Sequence, residues 1–137
     1  MSLVVLDTDV ASTILRGRVA ARLQARLAGK TWCMSSITLG ELTAWTILRS
    51  WGPRRIADFE DWRRGVVLLP IDDLVATTCV EIRARAQLRG HPHPVNDSWI
   101  AATALANGLP LVTFNVKDYT DFVQNEDRWP QVRAELV

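Results

Sequence analysis

The chain has 137 residues, 48% of them apolar and 23% charged, which is the size of one ordinary domain and the balance of a folded globular protein rather than a disordered tail. Its net charge of +1 excludes binding of nucleic acid through overall positive charge and leaves local patches open. No apolar run approaches the roughly 20 residues of a membrane-spanning helix. The first residues hold Asp7 and no basic stretch before a small-residue cleavage site, so a secretory leader is not expected. Cys33 and Cys79 form neither a Cys-x-x-Cys pair nor a disulfide framework and are expected to be core thiols. The expectation is a single domain over residues 1–137, cytoplasmic and without membrane contact.

Short apolar runs alternate with helical patterns from end to end, which predicts an α/β fold on a parallel sheet of four to five strands. Leu3 to Leu6 reads as the first strand, followed by a turn at Asp7, Thr8 and Asp9 and a short helix to Leu15. Val19 to Ala28 reads as a helix stopped by Gly29, and Thr31 to Met34 as the second strand. Ser35 and Ser36 suit the N-cap of a helix from Ile37 to about Ser50, and Pro53 suits the first turn of the next, to Arg64. Val66 to Leu69 is the third predicted strand, and Asp72 caps a long helix ending at Gly90. The prolines of His91-Pro92-His93-Pro94 make that segment a loop. Asn96 or Asp97 opens a helix to Gly108, and Leu111 to Phe114 is the fourth strand. Val132 to Val137 fits either a fifth strand or a last helical turn.

In an open parallel sheet, ligands bind outside the carboxyl ends of the strands. Asp7 and Asp9 follow the first strand, Glu41 lies in the helix after the second, Asp97 opens the helix before the fourth, and Asn115 follows the fourth. Glu41 falls in an arc shared by Ile37, Gly40, Ala44, Trp45, Ile47 and Leu48, which periodicity assigns to the core. A carboxylate there must be protonated, paired with an arginine, or bound to a metal. Asp7 and Asp97, taken singly, are equally well explained as helix caps. Together these acids converge on one end of one sheet, where like charges repel unless a divalent cation sits among them. Hard oxygens without thiolate or imidazole suit Mg2+ or Mn2+, ions that serve phosphate chemistry. His91 and His93 lack further ligands nearby and read as a solvated loop.

Four stretches resemble the PIN-domain ribonucleases, and within them the VapC-type toxins of bacterial type II toxin-antitoxin modules. They are Val4-Val5-Leu6-Asp7-Thr8-Asp9-Val10, Ser35-Ser36-Ile37-Thr38-Leu39-Gly40-Glu41-Leu42, Asn96-Asp97-Ser98-Trp99-Ile100-Ala101-Ala102 and Leu111-Val112-Thr113-Phe114-Asn115. The resemblance implies a PIN-like three-layer sandwich with a central parallel sheet flanked by helices. It implies that Asp7, Glu41 and Asp97 are metal-binding acids for one or two Mg2+ or Mn2+ ions, with Asn115 where the family's fourth acid falls. An amide oxygen ligates without adding charge, so Asp9 and Asp118 are secondary candidates for the missing charge, and Thr113 and Asn115 for positioning ligands or water. The implied activity is metal-dependent endonucleolytic hydrolysis of RNA, whether tRNA, rRNA or mRNA, inhibiting translation and growth once the toxin is freed of its cognate antitoxin. A homodimer is implied as well, with DNA contacted only indirectly through the antitoxin.

Fourteen of the 16 basic residues are arginines. Arg18, Arg22 and Arg26 recur every four residues on a predicted helix and form either a line for RNA phosphates or a solvated face; Arg54, Arg55, Arg63 and Arg64 pose the same choice. Among six tryptophans, Trp45 and Trp99 are expected in the core, while Trp51 and Trp62 are candidates for an interface. Two other readings compete. A receiver-type phosphoacceptor domain would use Asp7, Asp72 and Lys117 but has no role for Glu41 or for Asn96-Asp97. A PIN-like module that binds RNA or protein without cleaving is compatible with the absent fourth acid.

Overall fold

Residues Ser2–Leu6 form the strand on which the others are arranged. The computed structural model describes residues 2–119 and the backbone of residues 134–136. The elements are β1 (Ser2–Leu6), α1 (Thr8–Leu15), α2 (Ala21–Leu27), β2 (Lys30–Ser35), α3 (Ser36–Leu48), α4 (Pro53–Arg64), β3 (Val67–Leu69), α5 (Asp73–Leu88), α6 (Val95–Ala106), β4 (Leu111–Thr113) and β5 (Ala134–Leu136). The five strands lie in the order β3-β2-β1-β4-β5, with every adjacent pair parallel. From β1 the chain builds outward through β2 to β3, then crosses back to place β4 on the other side of β1. The strand order therefore reverses between β1 and β4, the point at which the loops diverge and leave a crevice.

Alternate residues of the central strands enter two separate cores. Val5, Cys33 and Leu111 face one, closed by Val75, Cys79 and Ile82 of α5 and Ile100 and Leu105 of α6. Val4, Leu6 and Val112 face the other, closed by Val10 of α1, Leu23 and Leu27 of α2, Leu42 of α3 and Phe59 of α4. This is the expected three-layer sandwich. Burial on both faces is why the strands read as unbroken apolar runs instead of alternating ones. Both cysteines are free and buried, as expected, and among the described residues no helix is long and apolar enough to cross a membrane.

The local signals act as expected at most boundaries. The Ser35 side chain accepts from the Thr38 amide, Asp72 accepts from the Val75 amide, and Pro53 occupies the first turn of α4. The residues 91–94 are loop. Several boundaries differ. Thr8 and Asp9 are already helical, so the turn after β1 is Asp7 alone. The last helix before β4 starts at Val95, so neither Asn96 nor Asp97 is its cap; Pro94 is. The tail resolves as strand over Ala134–Leu136, while Val132, Arg133 and Val137 lie outside the described residues.

Two larger corrections concern faces. The arc of α3 assigned to the core is turned outward at Gly40, Ala44, Ile47 and Leu48, the last two 74% and 77% exposed, while Thr38 and Leu42 are buried. This helix is apolar on nearly every side, so periodicity does not choose its buried face. Arg18 is not on the helix of Arg22 and Arg26. Its amide donates to Thr13 O while Gly17 N–H donates to Ile14 O, the paired bonds of a Schellman ending on α1. All three arginines are exposed. Trp51 belongs to the core, edge-on to Phe59 with ring centroids 6.2 Å apart, and the half-buried Trp62 packs on the same cluster. Trp99 packs on the opposite core.

Ser50 ends α3 at a φ of 48°, with Ser50 N–H donating to Ile47 O and Trp51 N–H to Thr46 O. It fills a left-handed position that glycine takes at Gly90, where φ is 78°. Ser50→Gly is expected to stabilise the fold by about 0.5 kcal/mol and Gly90→Ala to destabilise it by about 1 kcal/mol, both read from urea unfolding midpoints.

Candidate active site

At the switch point, the carboxyl end of β1 opens into a cleft of roughly 240 Å³. Asp7, the residue immediately after β1, is 6% exposed. Its Oδ1 accepts from the Thr8 amide at 2.8 Å and its Oδ2 from Thr113 Oγ1, at the end of β4, at 2.8 Å. Thr113 Oγ1 in turn accepts from the Asn115 amide at 3.0 Å. Thr113 is fully buried, so it orients Asp7 and the start of the following loop from behind the cleft. Asp97, in the first turn of α6, faces the same space. The Tyr119 hydroxyl lies 3.3 Å from Asp7 Oδ1 and 3.4 Å from Asp97 Oδ1.

Glu41 lines the cleft from α3, and among the described residues it has no arginine partner. Its Oε1 accepts from Thr8 Oγ1 at 2.8 Å. That donation uses the one proton of Thr8, so in the 3.0 Å contact between the Thr8 and Thr38 hydroxyls Thr38 donates. Ser35 Oγ then donates to Thr38 Oγ1 at 3.2 Å. Three buried hydroxyls thus point in series from Ser35 to Glu41, an alignment in which each bond polarises the next.

Asp9, Asp118 and Asn115 also line the cleft and are exposed. Five carboxylates and no basic side chain therefore border it among the described residues. Burial pushes the Asp7 carboxyl above the ordinary carboxylate value of 3.8, with Thr113 and Thr8 opposing and Asp9 reinforcing. Asp97 is raised first by burial and also by Asp118 and Asp9, against the Tyr119 hydrogen bond and the charge of His93. Among the described residues no three His, Cys, Asp or Glu side chains close on one point. The donors instead present a pair, Asp7 and Asp97, with further oxygens at the rim. That set fits Mg2+ or Mn2+, because Mg2+ retains several waters and takes one or two carboxylates.

Asp7, Glu41, Asp97 and Asn115 are thus brought to one cleft along with the secondary candidates Asp9 and Asp118, whereas Thr113 stands behind it. Asp72 caps α5 and lies outside it, so the acid pair of a receiver domain is not assembled. Sequence reasoning missed Tyr119, the only tyrosine in the chain, and Trp45, which lines the cleft with the Arg49 guanidinium 4.2 Å from its ring centroid. The available signal for Tyr119 was spacing: residues 116–119 form a helical turn directly after Asn115, which carries Tyr119 back over the strand ends.

A profile of the PIN domain matches residues 4–120. The chain belongs to the PIN-domain family. Among curated relatives, it is 36% identical over 92 residues to ribonuclease VapC4 of Mycobacterium tuberculosis, covering 64% of this chain and 69% of the relative. It is 30% identical over 115 residues to the tRNA(fMet)-specific endonuclease VapC of Shigella flexneri, covering 83% and 87%. Its fold is similar to VapBC of Salmonella typhimurium in a DNA-bound crystal structure, with a TM-score of 0.77, 26% identity and 98% of both chains covered. VapBC2 of Rickettsia felis superimposes with a TM-score of 0.81 at 20% identity, again over 98% of both chains, a likeness of fold. This PIN protein is a VapC-type ribonuclease of the toxin class, from a family whose nucleases depend on divalent metal.

The raised value of Asp97 sets a sign for stability. Between 3.8 and the raised value the folded chain binds more protons than the unfolded one, so stability falls as pH rises through that window, and above it the buried charge is a constant cost. In EDTA at neutral pH, Asp97→Asn is expected to raise Tm by roughly 1–3 °C, a gain that shrinks as pH falls toward 3.8. Saturating Mg2+ is expected to raise the Tm of the unsubstituted protein and to leave that of the variant nearly unchanged.

Proposed function

We propose that this VapC-type protein is a Mg2+- or Mn2+-dependent endoribonuclease whose cleft holds one hydrated ion between Asp7 and Asp97. The observation that carries the reading is the convergence of those two carboxylates, from the end of β1 and the start of α6, on the same buried hydroxyl in a cleft without a basic side chain among the described residues. An ion bound there supplies Lewis acidity toward a phosphodiester and toward water.

The chain's own groups divide the remaining work. Asp7 is held rigidly by Thr8 and Thr113, so it provides a fixed carboxylate. Asp97 provides the second from the opposite wall. Glu41, its Oε1 held by Thr8, takes a proton from the attacking water through its other oxygen and orients that water for in-line attack at phosphorus, while the P–O3' bond opposite breaks and the departing 3'-oxygen takes a proton from solvent, leaving 5'-phosphate and 3'-hydroxyl ends. Asn115 contributes an amide without adding charge. Asp9 and Asp118 at the rim strengthen the negative field and set how tightly the ion is held. Arg22 and Arg26, exposed on α2, and Arg18 before it, contact RNA phosphates outside the acidic cleft.

The partner is a cognate antitoxin, as in the VapBC and FitAcB complexes that the fold resembles, and the protein acts as a toxin when released from it. A homodimer is part of the same reading. The exposed apolar side chains of Ile47 and Leu48 on α3 are of the kind that partners cover. The 137 residues function as one PIN domain.

Purified protein is expected to cleave transfer RNA or total RNA in Mg2+ or Mn2+ and to stop in EDTA. Asp97→Ala should abolish cleavage and Glu41→Gln should slow it by about 10²-fold or more; cutting that survives EDTA and Asp97→Ala rejects the mechanism, and binding of RNA without any cutting favours a non-cleaving PIN module. Induction without the antitoxin is expected to arrest bacterial growth, and normal growth with folded protein present rejects the toxin role. Arg22→Ala should weaken RNA binding and flatten its dependence on salt by about one unit of slope, whereas a merely solvated face predicts no change.

A further inference from the structure

We propose that Tyr119 is a positioning residue for the divalent cation, its hydroxyl holding the carboxylates of Asp7 and Asp97 in the relative placement that the ion requires. The inference rests on the reading of the cleft as a metal site. It concerns a residue whose ring and hydroxyl do separable things.

The ring is core. Tyr119 is 3% exposed and packs in the cluster that contains Ile100, Ala101, Leu105 and Leu111, a space that phenylalanine fills equally well. The hydroxyl is 3.3 Å from Asp7 Oδ1 and 3.4 Å from Asp97 Oδ1, both longer than the usual O–H···O separation of about 2.5–3.0 Å, as expected when one proton lies between two acceptors. One phenolic proton is thus shared between two carboxylates. A phenol keeps its proton at neutral pH, so Tyr119 is a neutral donor. A neutral donor relieves repulsion between the two acids without placing a positive charge where the cation belongs, which lysine or arginine would do. It also leaves acceptor capacity for the ion. Asp7 receives Thr8, Thr113 and Tyr119, three of about four lone-pair positions on a carboxylate, and Asp97 Oδ2 remains outside the contact with Tyr119. Outer partners of this kind tune metal affinity by orienting the ligands.

The test compares the full-length protein, Tyr119→Phe and Asp97→Asn, by titration with Mn2+ followed by electron paramagnetic resonance of the free ion. Tyr119→Phe is expected to weaken Mn2+ binding by roughly 10-fold and to raise the metal concentration for half-maximal RNA cleavage by the same factor. kcat at saturating metal should change little, while Tm in EDTA should fall by roughly 1–3 °C because two cleft acids lose a shared donor. A purely structural hydroxyl would shift Tm and leave metal affinity alone, and that result overturns the proposal. If Asp97→Asn loses Mn2+ while Tyr119→Phe binds it normally, only the role of Tyr119 fails; if Asp97→Asn also binds normally, the metal reading of the cleft fails with it. The single tyrosine gives a second readout that needs no substitution. Labelled with 13C at the ζ carbon, the folded protein shows one tyrosine resonance, expected to move on titration with Mg2+; a resonance unmoved to saturation overturns the proposal.

Discussion

A buried negative charge at the end of the central strand is the constraint around which this molecule is organised. An isolated carboxylate in low dielectric costs several kcal/mol, and Asp7 is 6% exposed. Its oxygens are met by the amide of the next residue, a hydroxyl at the end of β4 and the phenol of Tyr119. Those donors come together because β4 pairs with β1 in parallel, in register from Val5 with Leu111 to Leu6 with Val112. The same pairing sets α6 against the sheet and brings Asp97 to the cleft. The reversal of strand order thus produces a crevice and also supplies the donors that make a charge there tolerable.

The remaining repulsion is what gives the cleft its chemistry. Five carboxylates border it among the described residues, and burial raises both Asp7 and Asp97 above the ordinary carboxylate value. In the proposed metal-bound state a cation would offset this repulsion, so affinity for the ion and the cost of the bare charges would share one origin. The net charge of +1 conceals this separation. The cleft lining among the described residues holds acids and no base, while Arg18, Arg22 and Arg26 lie exposed elsewhere.

Glu41 shows how a half-buried acid is accommodated without a salt bridge among the described residues. An arginine partner would neutralise it and remove it from the chemistry of the cleft. A directed run of hydroxyls from Ser35 through Thr38 and Thr8 instead orients one oxygen and leaves the other facing the cleft without a cation beside it among the described residues. The outward turn of Ile47 and Leu48 on the same helix follows from this. With Leu42 packed on the sheet and Glu41 at the cleft rim, one turn of α3 is committed on two sides, and its remaining apolar residues face outward.

The amino-acid sequence by itself determined the element order as far as the fourth strand, the parallel α/β class, the identity of the cleft acids and the family. These rest on signals carried by neighbouring residues: apolar runs such as Val4 to Leu6, caps at Ser35 and Asp72, and the prolines at 53, 92 and 94. Only the tertiary structure decided which face of α3 is buried, that Asp97 meets a phenol instead of capping its helix, that Arg18 closes α1, and that Trp51 is core. Periodicity cannot select one face of a helix that is apolar all round, and a hydroxyl's partner is set by segments distant in the chain. Tyr119 acquires its place beside Asp7 and Asp97 because β4 pairs with β1, a contact that no local pattern contains.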